Sequence, residues 1–178
     1  MVGLMGSGKT VVGQMIAAEL GWALSDNDQV IDEAVGLSAR KIKERRGVEA
    51  LHQFEAAHLL AALAAPSPSV ICAAASVVDS PVCRAALREP SVCPVWLRAR
   101  SDTLAARFYR EDHRPAYGEH PAAFFEDQIA ARTPHLVDVA ALSVDVDALP
   151  VPEVAAHVVA LVRAHIAASP RVRRELPR

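Results

Sequence analysis

The first ten residues constrain this chain more than any others. The stretch GLMGSGKT sets Gly3, Gly8, Lys9 and Thr10 in the pattern GxxxxGK[ST], directly after the apolar Met1 to Leu4 and directly before a helical repeat. Glycine permits backbone torsions and close approaches that a Cβ would block, so successive N–H groups can surround a β-phosphate. The N-terminus of the following helix adds its partial positive charge to that cradle. Lys9 is placed to reach the β- and γ-phosphates, and the hydroxyl of Thr10 to hold Mg2+. The strand leading in is short, because two or three residues are fewer than a central strand usually offers.

Downstream, Val11, Val12, Met15, Ile16 and Leu20 recur at helical spacing, and Gly21 stops the helix. WALSDND reads as a short strand that ends in acidic residues. A helical pattern runs from Gln29 to about Ala65, interrupted near Gly36 and Gly47. SVICAAASVV is a buried strand by composition, Pro81 to Arg88 a helix and VCPVWLRA another strand. A long helical segment then carries REDHRP, and Ala141 to Val146 forms a last strand before a helix from Val151 to about Ala168. Strands alternating with helices predict βαβ units, and hence a three-layer α/β/α domain around a parallel, five-stranded sheet. Residues 1–168 form one such domain, followed by a basic tail over 169–178.

Bulk properties exclude several classes of partner. The 178 residues are 52% hydrophobic with a formal net charge of −2, enough for one core and too balanced to attract nucleic acid or an anionic membrane. The tail SPRVRRELPR is locally basic and reads as a frayed terminus. Cys72, Cys83 and Cys93 have no CxxC spacing, which suits buried thiols in a reducing compartment and so the cytoplasm. No apolar run is expected to reach the ~18 residues of a membrane span, and no secretory signal core is evident. A monomer is the default, since no exposed apolar stripe is advertised.

Taken together and in order, these pieces resemble shikimate kinase, a small family among the nucleoside monophosphate kinase-like P-loop enzymes. GLMGSGKTVVGQMIAAELGW is similar to the family's opening, and SDNDQVIDEAVGLSARKIKERRGVEALHQFE to its acidic pair and substrate-binding helices, here about 29–65. REDHRP is similar to the family's lid, about 108–122. ARTPHLVDVA matches its RxPLYxxxA segment and VDVDALPVPEVA its adenine loop. The resemblance implies ATP and Mg2+ as cofactors and a small hydroxylated substrate as the acceptor. Gly3, Gly6, Ser7, Gly8, Lys9, Thr10 and Val11 would hold the phosphates, with Arg107 stacked on adenine and Asp147 in the adenine loop. Asp26 would join Thr10 at the metal, and Asp28 would accept a hydrogen bond from the acceptor hydroxyl and assist its deprotonation. Arg114 would stabilise the transferring phosphoryl group together with Lys9, and Arg132 would grip a carboxylate with its bidentate fork.

The match fails selectively. Where the family has FRxxE, this chain has Leu51, His52, Gln53, Phe54 and Glu55, so an arginine of the carboxylate seat has become His52. A neutral imidazole cannot make a two-pronged contact with a carboxylate. The family's GGG after the third strand corresponds to Ala74, Ala75 and Ser76, whose added Cβ atoms are expected to fill pocket space and to disfavour any position needing φ > 0. RPLL has become RPAY, with Tyr117, and PLY has become PHL. The groups for nucleotide, metal and phosphoryl transfer thus persist while those shaping the substrate pocket have changed. Three readings follow: a shikimate kinase that tolerates the changes, a diverged kinase with another hydroxylated acceptor, or a non-catalytic ATP-binding module.

Overall fold

The structure, a computed structural model, describes residues 1–108 and 121–168. The chain runs α1 (Lys9–Leu20), β1 (Ala23–Asp26), α2 (Asn27–Val35), α3 (Ala39–Arg46), α4 (Val48–Leu63) and β2 (Ser69–Cys72). A 3₁₀ turn (Ala75–Asp79), α5 (Pro81–Leu87), β3 (Val95–Arg98), α6 (Ser101–Phe108), α7 (Pro121–Val139), β4 (Leu142–Asp145) and α8 (Val151–Ala168) complete it. The expected lid lies mostly outside the described residues, with Arg114 and Tyr117, and so does the basic tail.

All strand pairing is parallel. β1 pairs with β2, Ala23 opposite Ser69 and Asp26 opposite Cys72, and β3 pairs with β4, Val95 opposite Leu142 and Arg98 opposite Asp145. Between the two pairs, the position of a fifth, central strand is held by Met1 and Val2 alone. The Met1 ammonium donates to Ile71 O at 2.7 Å and Ala73 N donates to Met1 O at 3.1 Å. On the other side Val2 N donates to Val95 O at 2.8 Å and Leu97 N to Val2 O at 3.0 Å. Met1 and Val2 thus bridge the two pairs, with Val2 opposite Trp96. A cavity of about 460 Å3 lies below them, lined by Met1, Ile71, Val92, Val95 and Val158 among other largely apolar neighbours. Burial pushes the pKa of the Met1 ammonium down.

Helices cover both faces. On one, α1 and α8 pack together over Val70, Val95, Leu97 and Val144, burying Val12, Ile16, Val154, Val158 and Val162. On the other, Leu59 of α4, Leu87 of α5 and Leu136 of α7 close over Val2, Ala73, Val77 and Val78. Full burial of such side chains contributes roughly 1.5–3 kcal/mol each, so α8 is anchored by its valine stripe. The 18 residues of α8 are long and apolar enough to span a membrane by length and composition, contrary to the sequence expectation of no such run. Its valine face is instead spent on the core.

Glycines set both ends of α1. Gly8 (φ 89°) precedes it, and Gly21 (φ 66°) ends it by donating its N–H to Ala17 O and Ala18 O. A second correction concerns SVICAAASVV: the strand stops at Cys72, and Ala75 onward coils into the 3₁₀ turn that delivers Ser76 and Asp79 to the helical layer.

Gly13, inside α1, lets the helix lie directly on β2. A Cβ there would land on Cys72 Sγ, well inside van der Waals contact, with Leu24 and Val70 beside it. Cys72 is buried and its thiol donates to Lys9 O at 3.2 Å. Gly13→Ala is expected to lower stability by about 1–3 kcal/mol through overpacking, as read by urea denaturation. Cys72→Ala in the same chain should recover part of that loss, a coupling that a double-mutant cycle measures.

Candidate active site

The carboxyl ends of the strands meet the cradle on one side of the sheet. Within it, Gly3, Gly6 and Gly8 all have positive φ (141°, 79° and 89°). A Cβ on Gly3 would sit 2.7 Å from Leu97 O, so only glycine lets the loop lie against β3 there. The first turn of α1 has no side-chain cap and no acidic residue, which leaves its N–H groups directed into the loop. The buried hydroxyl of Ser7 finds no hydrogen-bond partner among the described residues. An orphaned donor beside an uncapped helix start fits an anion. Lys9 Nζ lies over the loop and donates to Gly3 O and Leu4 O, both at 2.9 Å, and Val11 is exposed on the same first turn.

A second group comes from β1. Asp26 is buried and accepts from Thr10 Oγ1 at 2.8 Å and from its neighbour's backbone, Asp28 N, at 3.1 Å. It thereby caps α2 while facing the cradle. Asp28, one helical position further, is exposed, and its carboxylate accepts from Asn27 Nδ2 at 3.1 Å. No group of three or more His, Cys, Asp or Glu forms a metal cage among the described residues. The donor set of one hydroxyl and one carboxylate nevertheless fits Mg2+, which is held by few protein oxygens and otherwise by water and phosphate.

The third group includes residues that the sequence reading did not place in the site. Ser76, from the 3₁₀ turn, donates a short hydrogen bond to Glu55 of α4. Asp79, from the same turn, receives Arg132 of α7 in a forked contact: Nε donates at 3.1 Å to both carboxylate oxygens and Nη2 to one of them at 2.7 Å. Arg132 Nη1 donates to Gln128. Burial pushes the Glu55 carboxyl above the usual carboxylate range and the Asp28 charge adds to this, while Ser76, Arg132 and Lys9 oppose it. Glu55 thus lies within electrostatic reach of Lys9, Asp28 and Arg132. Behind Asp26, Ser25 Oγ and His58 Nε2 share a 2.8 Å hydrogen bond, and burial lowers the His58 pKa. Sequence offered a signal for Glu55, a carboxylate on the inward face of α4, but none for Asp79.

His52 is exposed on α4 and makes no hydrogen bond to any described residue. Ala74, Ala75 and Ser76 carry no backbone strain, because among the described residues only glycines have positive φ. Ala74 packs against the core that holds Val77 and Val78, and Ala75 against the one that holds Leu4 and Leu104. Arg107 donates to Val146 O at 2.9 Å, next to Asp147, whose carboxylate accepts from Arg100 N. That brings the two expected adenine-side residues together at one edge.

A parallel α/β/α sheet with a glycine cradle opening its first helix and a carboxylate pair at the end of the adjacent strand defines a P-loop fold of the small-molecule kinase type. The shikimate kinase family profile matches residues 5–163, and the chain belongs to that family. It is 36% identical over 115 residues to the shikimate kinase of Moorella thermoacetica, covering 65% of each chain. It is 33% identical over 135 residues to that of Caulobacter vibrioides, covering 75% of this chain and 66% of the relative. The match thus spans about two thirds of the length of these relatives. In fold it is similar to a shikimate kinase from Acinetobacter baumannii solved in complex with shikimate, with a TM-score of 0.82, 24% identity and 92% and 91% of the two chains covered.

The Glu55 environment has a measurable consequence. A carboxyl with a folded pKa above its reference of 4.5 contributes stability that is present below that value and is lost as pH rises through the folded pKa. Glu55→Gln keeps an acceptor for Ser76 and removes the charge. Its thermal midpoint should exceed that of the wild type at neutral pH, and the gap should close as pH falls to about 4.5.

Proposed function

We propose that this chain is an ATP-dependent phosphotransferase that moves the γ-phosphate of ATP to a hydroxyl of shikimate or a related small hydroxylated molecule. The observation that carries the proposal is the Thr10 to Asp26 hydrogen bond, which joins the phosphate cradle to the strand end that leads into the exposed Asp28. The cradle N–H groups and Lys9 would bind and neutralise the phosphates, and Thr10 and Asp26 would hold Mg2+. When bound, Mg2+ neutralises developing charge on the phosphoryl oxygens. Asp28 would orient the acceptor hydroxyl and take up its proton at a carboxylate oxygen. Arg107 and Asp147 would border the adenine side, and Arg114 would supply a cation to the transferring phosphoryl group. The same reading makes the protein a cytoplasmic monomer that acts on small molecules.

Transfer is tested by following ADP release from Mg-ATP over the acceptor-free background, against shikimate, quinate, gluconate and related polyols. Lys9→Ala should abolish the signal. Asp28→Asn should lower kcat by about 10²–10⁴-fold while leaving binding of an ATP analogue unchanged, as expected for loss of a general base. Nucleotide binding without transfer to any acceptor would favour an ATP-binding module instead.

A further inference from the structure

Arg132 already holds a carboxylate in its fork. Its side chain is only 14% exposed, and three of its nitrogens are engaged, Nε and Nη2 by Asp79 and Nη1 by Gln128. A guanidinium presents five N–H donors in a rigid fork, and the forked contact with a planar carboxylate is the strongest arrangement that fork can make. Asp79 makes that contact from the turn facing α7, so a carboxylate belonging to this chain already occupies the place a ligand's carboxylate would take.

The tether matters. An external carboxylate must compete with one held at high effective concentration, and to enter the fork it must displace Asp79, whose side chain is 41% exposed. Among the described residues the other cation acting on Glu55 is Lys9, which lies over the phosphate cradle. His52 is exposed and makes no hydrogen bond to any described residue. Hydroxyl groups face no such opposition, because Glu55, Ser76, Gln128 and Asp28 provide neutral and anionic acceptors for them.

Resting on the kinase reading above, we propose that Asp79 is a specificity residue: by filling the fork of Arg132 with its own carboxylate it closes the anion seat of the cleft and selects an uncharged polyol as acceptor. The pairing differs from a stabilising surface contact in one testable respect, namely that it discriminates by ligand charge.

The experiment uses the full chain saturated with a non-hydrolysable ATP analogue and two probes of nearly the same shape, shikimate and its methyl ester. Calorimetry is run on the wild type, on Asp79→Asn, which keeps the shape and removes the charge, and on Asp79→Ala. The wild type should bind the ester more tightly than the acid. Asp79→Asn should tighten the acid at least tenfold and change the ester less than threefold, with Asp79→Ala shifting in the same direction. Equal effects on the two probes, no change in either, or no binding of either probe to any variant would overturn the proposal. ADP release on the same samples reports separately on the kinase reading: charge-selective binding without turnover would reject catalysis and leave the role of Asp79 standing.

Discussion

The 2.8 Å hydrogen bond from the Thr10 hydroxyl to the Asp26 carboxylate couples the two elements on which everything else in the cleft depends. Thr10 belongs to the helix that the cradle opens, and Asp26 is the last residue of the neighbouring strand. Because Asp26 also accepts from Asp28 N, the same carboxylate fixes the start of α2 and hence the direction in which Asp28 is presented. A buried carboxylate with both oxygens bonded is rigid, and rigidity in this one group sets the spacing between the cradle and Asp28.

That spacing is upheld from behind by backbone proximity. α1 can lie on β2 only because Gly13 lacks a side chain, and the cradle can lie against β3 only because Gly3 does. The sheet is sparse at its centre, with Met1 and Val2 doing the work of a strand, yet their four hydrogen bonds reach both neighbouring pairs. Helix packing on the two faces completes the frame, and the valine stripe of α8 is its largest apolar contribution on the nucleotide side.

On the acceptor side, the turn after β2 is tied to two helices, by Ser76 to Glu55 of α4 and by Asp79 to Arg132 of α7. Burial and the Asp28 charge push the Glu55 carboxyl above the usual carboxylate range, against the opposing pull of Ser76, Arg132 and Lys9.

Much of this was legible in the sequence, and the physical reasons are specific. The cradle could be read because its chemistry is local: positive-φ glycines, a lysine and a hydroxyl within eight positions leave few other structures to adopt. The bounds of α1 followed from apolar spacing and Gly21, and the acid pair from its place after a strand. What the sequence could not decide is what depends on partners far apart in the chain. Asp79 and Arg132 are 53 residues apart, Ser76 and Glu55 are 21 apart, and no local pattern signals that either pair meets. Nor could local pattern show that SVICAAASVV leaves the sheet at Cys72, since an apolar run reads alike in a strand and in a buried turn. Sequence alone determined that this chain binds phosphate at the start of a helix in a parallel α/β frame. Tertiary structure decided which charges face the acceptor, because that balance is set by contacts between elements and not within them.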